Sequence, residues 1–214
     1  VRYAESSSEL KLIENKGQWE DQILYRADIA IGKIYFEPDG FTFLFHDPLY
    51  HQQHSCATHG SSCSVSHGVN AFSYKMEFQN SNPSVSVEGS YSWPHYHNYF
   101  IGSDEARWAD SVLLFKKITY TDLYPGIDMK VYGVGDDLKY DLIVHPGADP
   151  AQVELLYIGL DGMIIDKKEL KYETPFADVT EKEPVSFQYG TGGDFEEVKS
   201  KYVLNGNSLS FGFP

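Results

Sequence analysis

The sequence predicts an all-β fold, a large antiparallel β-sandwich of about fifteen short strands with minimal helix, on three observations. Aromatic residues make up 15% of the 214 residues, with 16 Tyr and 13 Phe, and such rings fit pleated, half-buried surfaces. Apolar and polar residues alternate with a period of two through most of the chain, while the 3.6-residue period is weak. Clusters of Gly, Pro, Asn and Asp punctuate these runs at the spacing of sandwiches and barrels.

The elements follow in order. Residues 33–37 and 41–45 alternate on either side of Pro38-Asp39-Gly40, a hairpin with a Gly-containing turn. Residues 71–78 and 84–88 flank Asn80-Ser81-Asn82-Pro83, and 127–132 and 138–144 flank a Gly-rich turn at 133–137, which predicts two more strand–turn–strand units. Runs at 152–157, 163–165, 169–173, 185–189, 198–204 and 208–211 continue the series, separated by Asp161-Gly162, the 190–193 cluster and Asn205-Gly206. Ser103, followed by Asp104 and Glu105, predicts one short helical turn before Trp108.

Within 138–144, Leu138, Tyr140, Leu142 and Val144 form one alternating set, and Lys139, Asp141 and Ile143 the other. One face is therefore core and the other mostly wet, a pattern that calls for two stacked layers. A single domain over 1–214 is expected. Two successive sandwiches with a boundary near 103–110 are the alternative. Residues 47–70, rich in Ser, His and Gly, read as a long loop insertion.

Charge narrows the function. Lys plus Arg number 17 against 31 Asp plus Glu, a net charge of −14, which argues against nucleic acid and against anionic lipid surfaces. No apolar run approaches the roughly 20 residues that span a bilayer, so direct membrane insertion is not expected. Two cysteines are too few for a disulfide scaffold.

Two local constellations carry chemistry. In the 47–70 loop, His51, His54, Cys56, His59, Cys63 and His67 follow His46. Imidazole and thiolate are zinc or copper ligands, although the spacing fits no standard finger. Alternatively, Cys56 and Cys63 form a disulfide that closes a small loop, or the segment is an ordinary polar loop. The second constellation is Trp93, His95, Tyr96, His97 and Asn98, with Trp108 beyond it. Aromatic faces meet the C–H faces of sugar rings while imidazoles and amides bond hydroxyls, so this is a candidate glycan site. Here Trp93 and His95 are favoured over Phe100. The alternative is a strand whose alternate aromatics fill the core, with His95 and His97 on the face opposite Tyr96.

Carboxylates at Asp136 and Asp137, and at Asp161, Asp166 and Glu169, lie in or beside turns. Convergent oxygens bind calcium, but no EF-hand series is present and turns recruit Asp in any case. Glycoside hydrolysis would need two carboxyls about 5–10 Å apart across a cleft. The sequence has no G-x-S-x-G elbow, no H-E-x-x-H and no P-loop.

Three stretches carry a family resemblance. Glu14-Asn15-Lys16-Gly17-Gln18 matches "ENKGQ", and Asn98-Tyr99-Phe100-Ile101-Gly102 with Trp108 is similar to "NYFLG…W". Tyr124-Pro125-Gly126-Ile127-Asp128, Leu138-Lys139-Tyr140-Asp141 and Pro146-Gly147-Ala148-Asp149-Pro150 resemble "YPGIDL…LKYDF…PGADP". Together they resemble an uncharacterised N-terminal domain of large bacterial surface proteins. Those proteins often carry SBBP-type β-propeller repeats, or gliding-motility-associated and type IX secretion C-terminal domains. The resemblance implies export to the surface of a Gram-negative bacterium as the N-terminal part of a longer protein, and supplies no catalytic residues. The His-rich stretch is an insertion relative to that pattern. Asp110-Ser111-Val112 resembles the O-glycosylation sequon of type IX-secreting bacteria, with Ser111 as acceptor. Read physically, Tyr124-Pro125-Gly126 suits a type II turn.

The leading expectation is a non-catalytic extracellular module for adhesion, assembly or glycan contact, without a cofactor. Its partners would be other domains of the same polypeptide, cell-surface proteins or glycans. A carbohydrate-active enzyme with a carboxylate pair, and a zinc- or calcium-binding module, are the alternatives.

Overall fold

The computed structural model describes residues 9–47, 70–135, 137–190 and 192–214. Among them the chain is all-β and antiparallel, with seventeen strands and two one-turn 310 helices. The chain divides into two compact units, one of residues 1–43 and 80–149 and the other of 44–79 and 150–214. Neither unit ends within 103–110, which lie inside the first.

The first unit holds β1 (Leu12–Glu14), β2 (Tyr25–Ile29), β3 (Gly32–Glu37) and the start of β4 (Gly40–His46). It also holds β6 (Ser86–Tyr99), β7 (Ala109–Tyr124), β8 (Ile127–Val134) and β9 (Asp137–Val144). The hydrogen-bonded order is β4-β3-β2-β1-β7-β8-β9, with β6 on the other side of β7. Both β1 and β8 pair with β7, the first near Leu114 and the second from Lys117 onward. The sheet also folds over itself. Phe36 meets Phe41 edge-on at 4.9 Å, and Phe41 lies 5.9 Å from Tyr120 of β7. The fully buried Tyr120 donates its hydroxyl to the Glu37 carbonyl at 3.0 Å. Strands β4 and β7 are not sheet neighbours, so this contact is face to face, as in stacked layers.

The second unit holds the end of β4 and β5 (Ala71–Phe78), β10 (Glu154–Ile158), β16 (Lys201–Asn205) and β17 (Ser208–Gly212), in the order β16-β17-β10-β5-β4. Strands β11 (Ile164–Asp166), β12 (Glu169–Glu173) and β13 (Asp178–Glu181) form a three-stranded sheet, and β14 (Ser186–Tyr189) with β15 (Phe195–Val198) a two-stranded one. Its core carries three tyrosines. The Tyr74 and Tyr172 hydroxyls lie 2.9 Å apart, and Tyr157 donates to Glu181 at 2.6 Å. Buried phenols need such partners.

The expected hairpins at 33–45 and 127–144 form. Strand segments at 71–78 and 86–88 form too, but they do not pair with each other: β5 pairs with β10, and β6 with β7. Asn82 instead ties the turn to Leu123 through its backbone N–H and to Asp122 through its side-chain amide. The alternation in β9 holds in attenuated form at Leu138, Tyr140 and Leu142, which are half-buried because β9 is an edge strand, and fails at its end, where Val144 is exposed and Ile143 half-buried. The 103–108 turn is a 310 helix capped by Asp104, which accepts from the Ala106 N–H.

Two irregularities shape β6 and β7. Between the pairs Ser92↔Phe115 and Tyr96↔Leu113, β6 carries two extra residues; between His97↔Val112 and Tyr99↔Ala109, β7 carries one. Tyr91 (φ 58°) and Ser111 (φ 51°) adopt left-handed backbone beside these bulges.

Candidate functional site

The "ENKGQ" stretch builds a platform for Trp19. Asn15 Nδ2 donates to the carbonyls of Ile23 (2.7 Å), Glu20 (3.0 Å) and Trp19 (3.4 Å), and its Oδ1 accepts from the N–H groups of Gly17 and Trp19. Buried Gln18 closes the turn, donating to Glu14 O and accepting from the Lys16 N–H. Gly17 sits at φ 102°, where a side chain would be strained. The motif is therefore a loop-stitching device.

Trp19 belongs to a larger assembly on one face of the sheet. The pairs His97↔Val112, Leu114↔Ile13, Ile13↔Arg26 and Arg26↔Tyr35 place these side chains on a common face across β6, β7, β1, β2 and β3. The alternate set, Leu12, Ala27, Ile34 and Phe36, lies in the core. Ile13, Ala109, Val112 and Leu114 form a buried apolar floor, roofed by half-buried Trp19, Trp93 and Tyr99.

Along β6 the rings form a row. Ring centroids are 5.8 Å apart for Trp93–His95, 6.3 Å for His95–His97 and 6.1 Å for His97–Tyr99, and Tyr99 meets Trp19 edge-on at 5.6 Å. His97 Nδ1 lies 3.2 Å from the Tyr99 hydroxyl. Cations cap the indoles. Lys116 Nζ is 4.3 Å and Lys11 Nζ 5.7 Å from the Trp93 ring, and the Arg26 guanidinium is 4.3 Å from Trp19. Arg26 also pairs with Asp28 at 3.0 Å. Burial, then the neighbouring His95 and Lys11, hold the His97 pKa below the ordinary histidine value. The Trp93 Nε1–H is buried with no hydrogen-bond partner among the described residues.

The candidates read from the sequence divide across this strand. Trp93, His95 and His97 share the ring row. Tyr96 faces the other way, exposed beside Leu113, and Asn98 Oδ1 accepts from the Ser111 N–H at 2.9 Å. Trp108 packs edge-on to Phe100 at 5.9 Å and donates to the Gly102 carbonyl. Ser111 is exposed on the β7 bulge. The residues His51, His54, Cys56, His59, Cys63 and His67, and Asp136, lie outside the described residues.

Other carboxylates are engaged locally. Asp166 pairs with Lys171 at 2.7 Å, and Glu169 with Lys182 at 2.9 Å. Among the described residues, no group of three His, Cys, Asp or Glu side chains is arranged to hold a metal ion. Asp128 bonds the Asp122 N–H and His145, and it braces the turn at Gly126 (φ 72°) that Tyr124-Pro125-Gly126 predicts. Its pKa is held below the ordinary carboxylate value: the two hydrogen bonds and the His145 and Lys130 charges outweigh the raising effect of burial.

Sequence reasoning did not find Trp19, Tyr35, Arg26, Lys11 or Lys116 as members of this face. Trp19, Tyr35, Arg26 and Lys11 reach β6 only through the pairing of β1 with β7, which joins segments about a hundred residues apart, while Lys116 lies on β7 itself, the neighbour of β6.

A family model described as a domain of unknown function, DUF7948, matches residues 12–214, and the chain belongs to that family. No curated protein and no solved structure matches it.

Proposed function

We propose that the chain is a non-catalytic carbohydrate-contacting module of an exported cell-surface protein, using the ring row of β6 as its contact face. The observation that carries this reading is the floor under the rings. An outward sheet face is ordinarily wet and mobile. Here Trp19, Trp93 and Tyr99 are seated on buried Ile13, Val112 and Leu114, so little side-chain freedom is lost on binding. Imidazoles at His95 and His97 supply hydrogen-bonding groups among the rings, the combination that sugar recognition uses.

The net charge of −14 suits a solvated exported surface. The family motifs favour placement at the surface of a Gram-negative bacterium, within a longer polypeptide whose other domains are partners for adhesion or assembly. The alternative of a carbohydrate-active enzyme is less favoured. Its acid would need a raised pKa and a carboxylate partner across a cleft beside the rings.

A glycan array probed with the wild-type chain and Trp93→Ala tests the reading. Binding of a glycan class that is lost in the variant is the expected result. No binding to any glycan overturns it, leaving scaffold or assembly roles. Release of shortened sugars from a bound glycan would establish the enzyme instead. Protease shaving of intact cells checks the surface location.

A further inference from the structure

Resting on that reading, we infer that the β6 face selects acidic polysaccharides, chains bearing carboxylate or sulfate groups, over neutral ones. The charge on this face runs against that of the molecule. The chain is strongly acidic, yet Lys11 and Lys116 bring two ammonium groups over one indole, at 5.7 and 4.3 Å. Arg26 caps the second indole, and His95 and His97 lie between them along the row.

Carboxylates offset only part of this charge. Lys116 has Glu9 at 3.4 Å and Arg26 has Asp28 at 3.0 Å. Lys11 makes no ion pair among the described residues. Like charges converging on one ring repel each other, and an anion placed between them relieves that repulsion as well as gaining its own attraction. The cations also occupy the positions over Trp93 and Trp19 where a neutral sugar would stack. A neutral chain must displace them, whereas an acidic chain uses them. The surrounding negative surface repels polyanions elsewhere, so contact is focused on this face.

The test compares polygalacturonate with its fully methyl-esterified form, the same backbone without the charge, using the full chain and isothermal titration at low and high salt. The acid form is expected to bind at least about tenfold more tightly than the ester, with the advantage shrinking as salt rises. Lys11→Gln and Lys116→Gln should each lose about fivefold for the acid and gain for the ester, which no longer has an ammonium group to displace, with an unchanged melting temperature. Lys116→Arg should retain binding.

Equal, Trp93-dependent binding of acid and ester would overturn the charge selection while leaving the glycan reading intact. A single-stranded oligonucleotide bound as tightly as polygalacturonate would also overturn it, because the face would then accept any polyanion. Binding of neither polysaccharide, nor of a sulfated one, would overturn the inference, and an empty glycan array would in addition remove the reading beneath it.

Discussion

Two clusters of rings invite comparison. In the first unit Trp93, His95, His97, Tyr99 and Trp19 lie over a buried apolar floor, with Lys116 and Arg26 against the indoles. In the second unit Phe195 meets Tyr189 at 4.7 Å and Phe187 at 5.3 Å on the two-stranded β14–β15 hairpin, with Phe187, Tyr189 and Phe195 exposed to 54, 76 and 62%. The hairpin rings are the more accessible, and by exposure alone they would be the better site. What separates the clusters is support. The β6 rings are anchored from beneath, and their position is fixed before any ligand arrives. Among the described residues the hairpin rings make ring contacts only within the hairpin and remain mostly exposed, so binding there would also have to order them. Its neighbouring side chains, Gln188, Glu196 and Glu197, supply no cation or imidazole.

The largest way to break this contrast is to remove the support. Asn15→Ala deletes three donated and two accepted hydrogen bonds in the turn that carries Trp19, and should destabilise the protein by about 2–4 kcal/mol. Chemical denaturation followed by tryptophan fluorescence measures this. A loss below about 0.5 kcal/mol would show that Trp19 needs no such scaffold. Trp93→Ala comes next, at about 2 kcal/mol because the ring is half-buried rather than enclosed, and the same denaturation curves read it.

A smaller effect sharpens the contrast through pH. His97 has a lowered pKa in the fold, where Lys11, Arg26, Asp28, His95 and Tyr99 face it. Its neutral form is the one that the fold prefers. Its contribution to stability is complete above the ordinary histidine pKa of about 6.5 and is lost as pH falls below it. Thermal melts between pH 7.5 and 5 should slope less in His97→Gln than in wild type. Parallel slopes would remove His97 from the account. The smallest effect belongs to the hairpin: Phe187→Ala should change stability by less than about 0.5 kcal/mol and leave glycan binding unaltered. A larger loss would mean that those rings are supported after all.

Much of the first layer of organisation was legible. Period-two alternation with turn clusters located most strands, and the Pro38-Asp39-Gly40 turn announced its own hairpin. Local alternation also separated His95 and His97 from Tyr96, as the structure does. The pairing of distant strands was not legible, because it depends on which edges meet rather than on any local pattern. Residues 71–78 and 84–88 looked like hairpin partners for that reason, although β5 and β6 pair elsewhere. Lys11 and Lys116 were invisible as a pair for the same reason: alternation marks a wet position but not which other position stands opposite. "ENKGQ" was recognisable as a motif, while its hydrogen-bonding work became clear only once Asn15 and Gln18 were seen to close the turn.

The bulge at Ser111 carries a consequence for how this chain tolerates changes in length. A single unpaired residue there lets both Ala109 and Val112 point toward the same apolar layer, which strict alternation would forbid. Losing one residue at this point restores the parity and swings the neighbours of Ala109 by half a pleat. The stretch between Ser92 and Tyr96 already holds an even surplus. Two residues added to or taken from β6 there would keep the ring row on its face, whereas an odd step in either strand would turn the side chains beyond it to the other face.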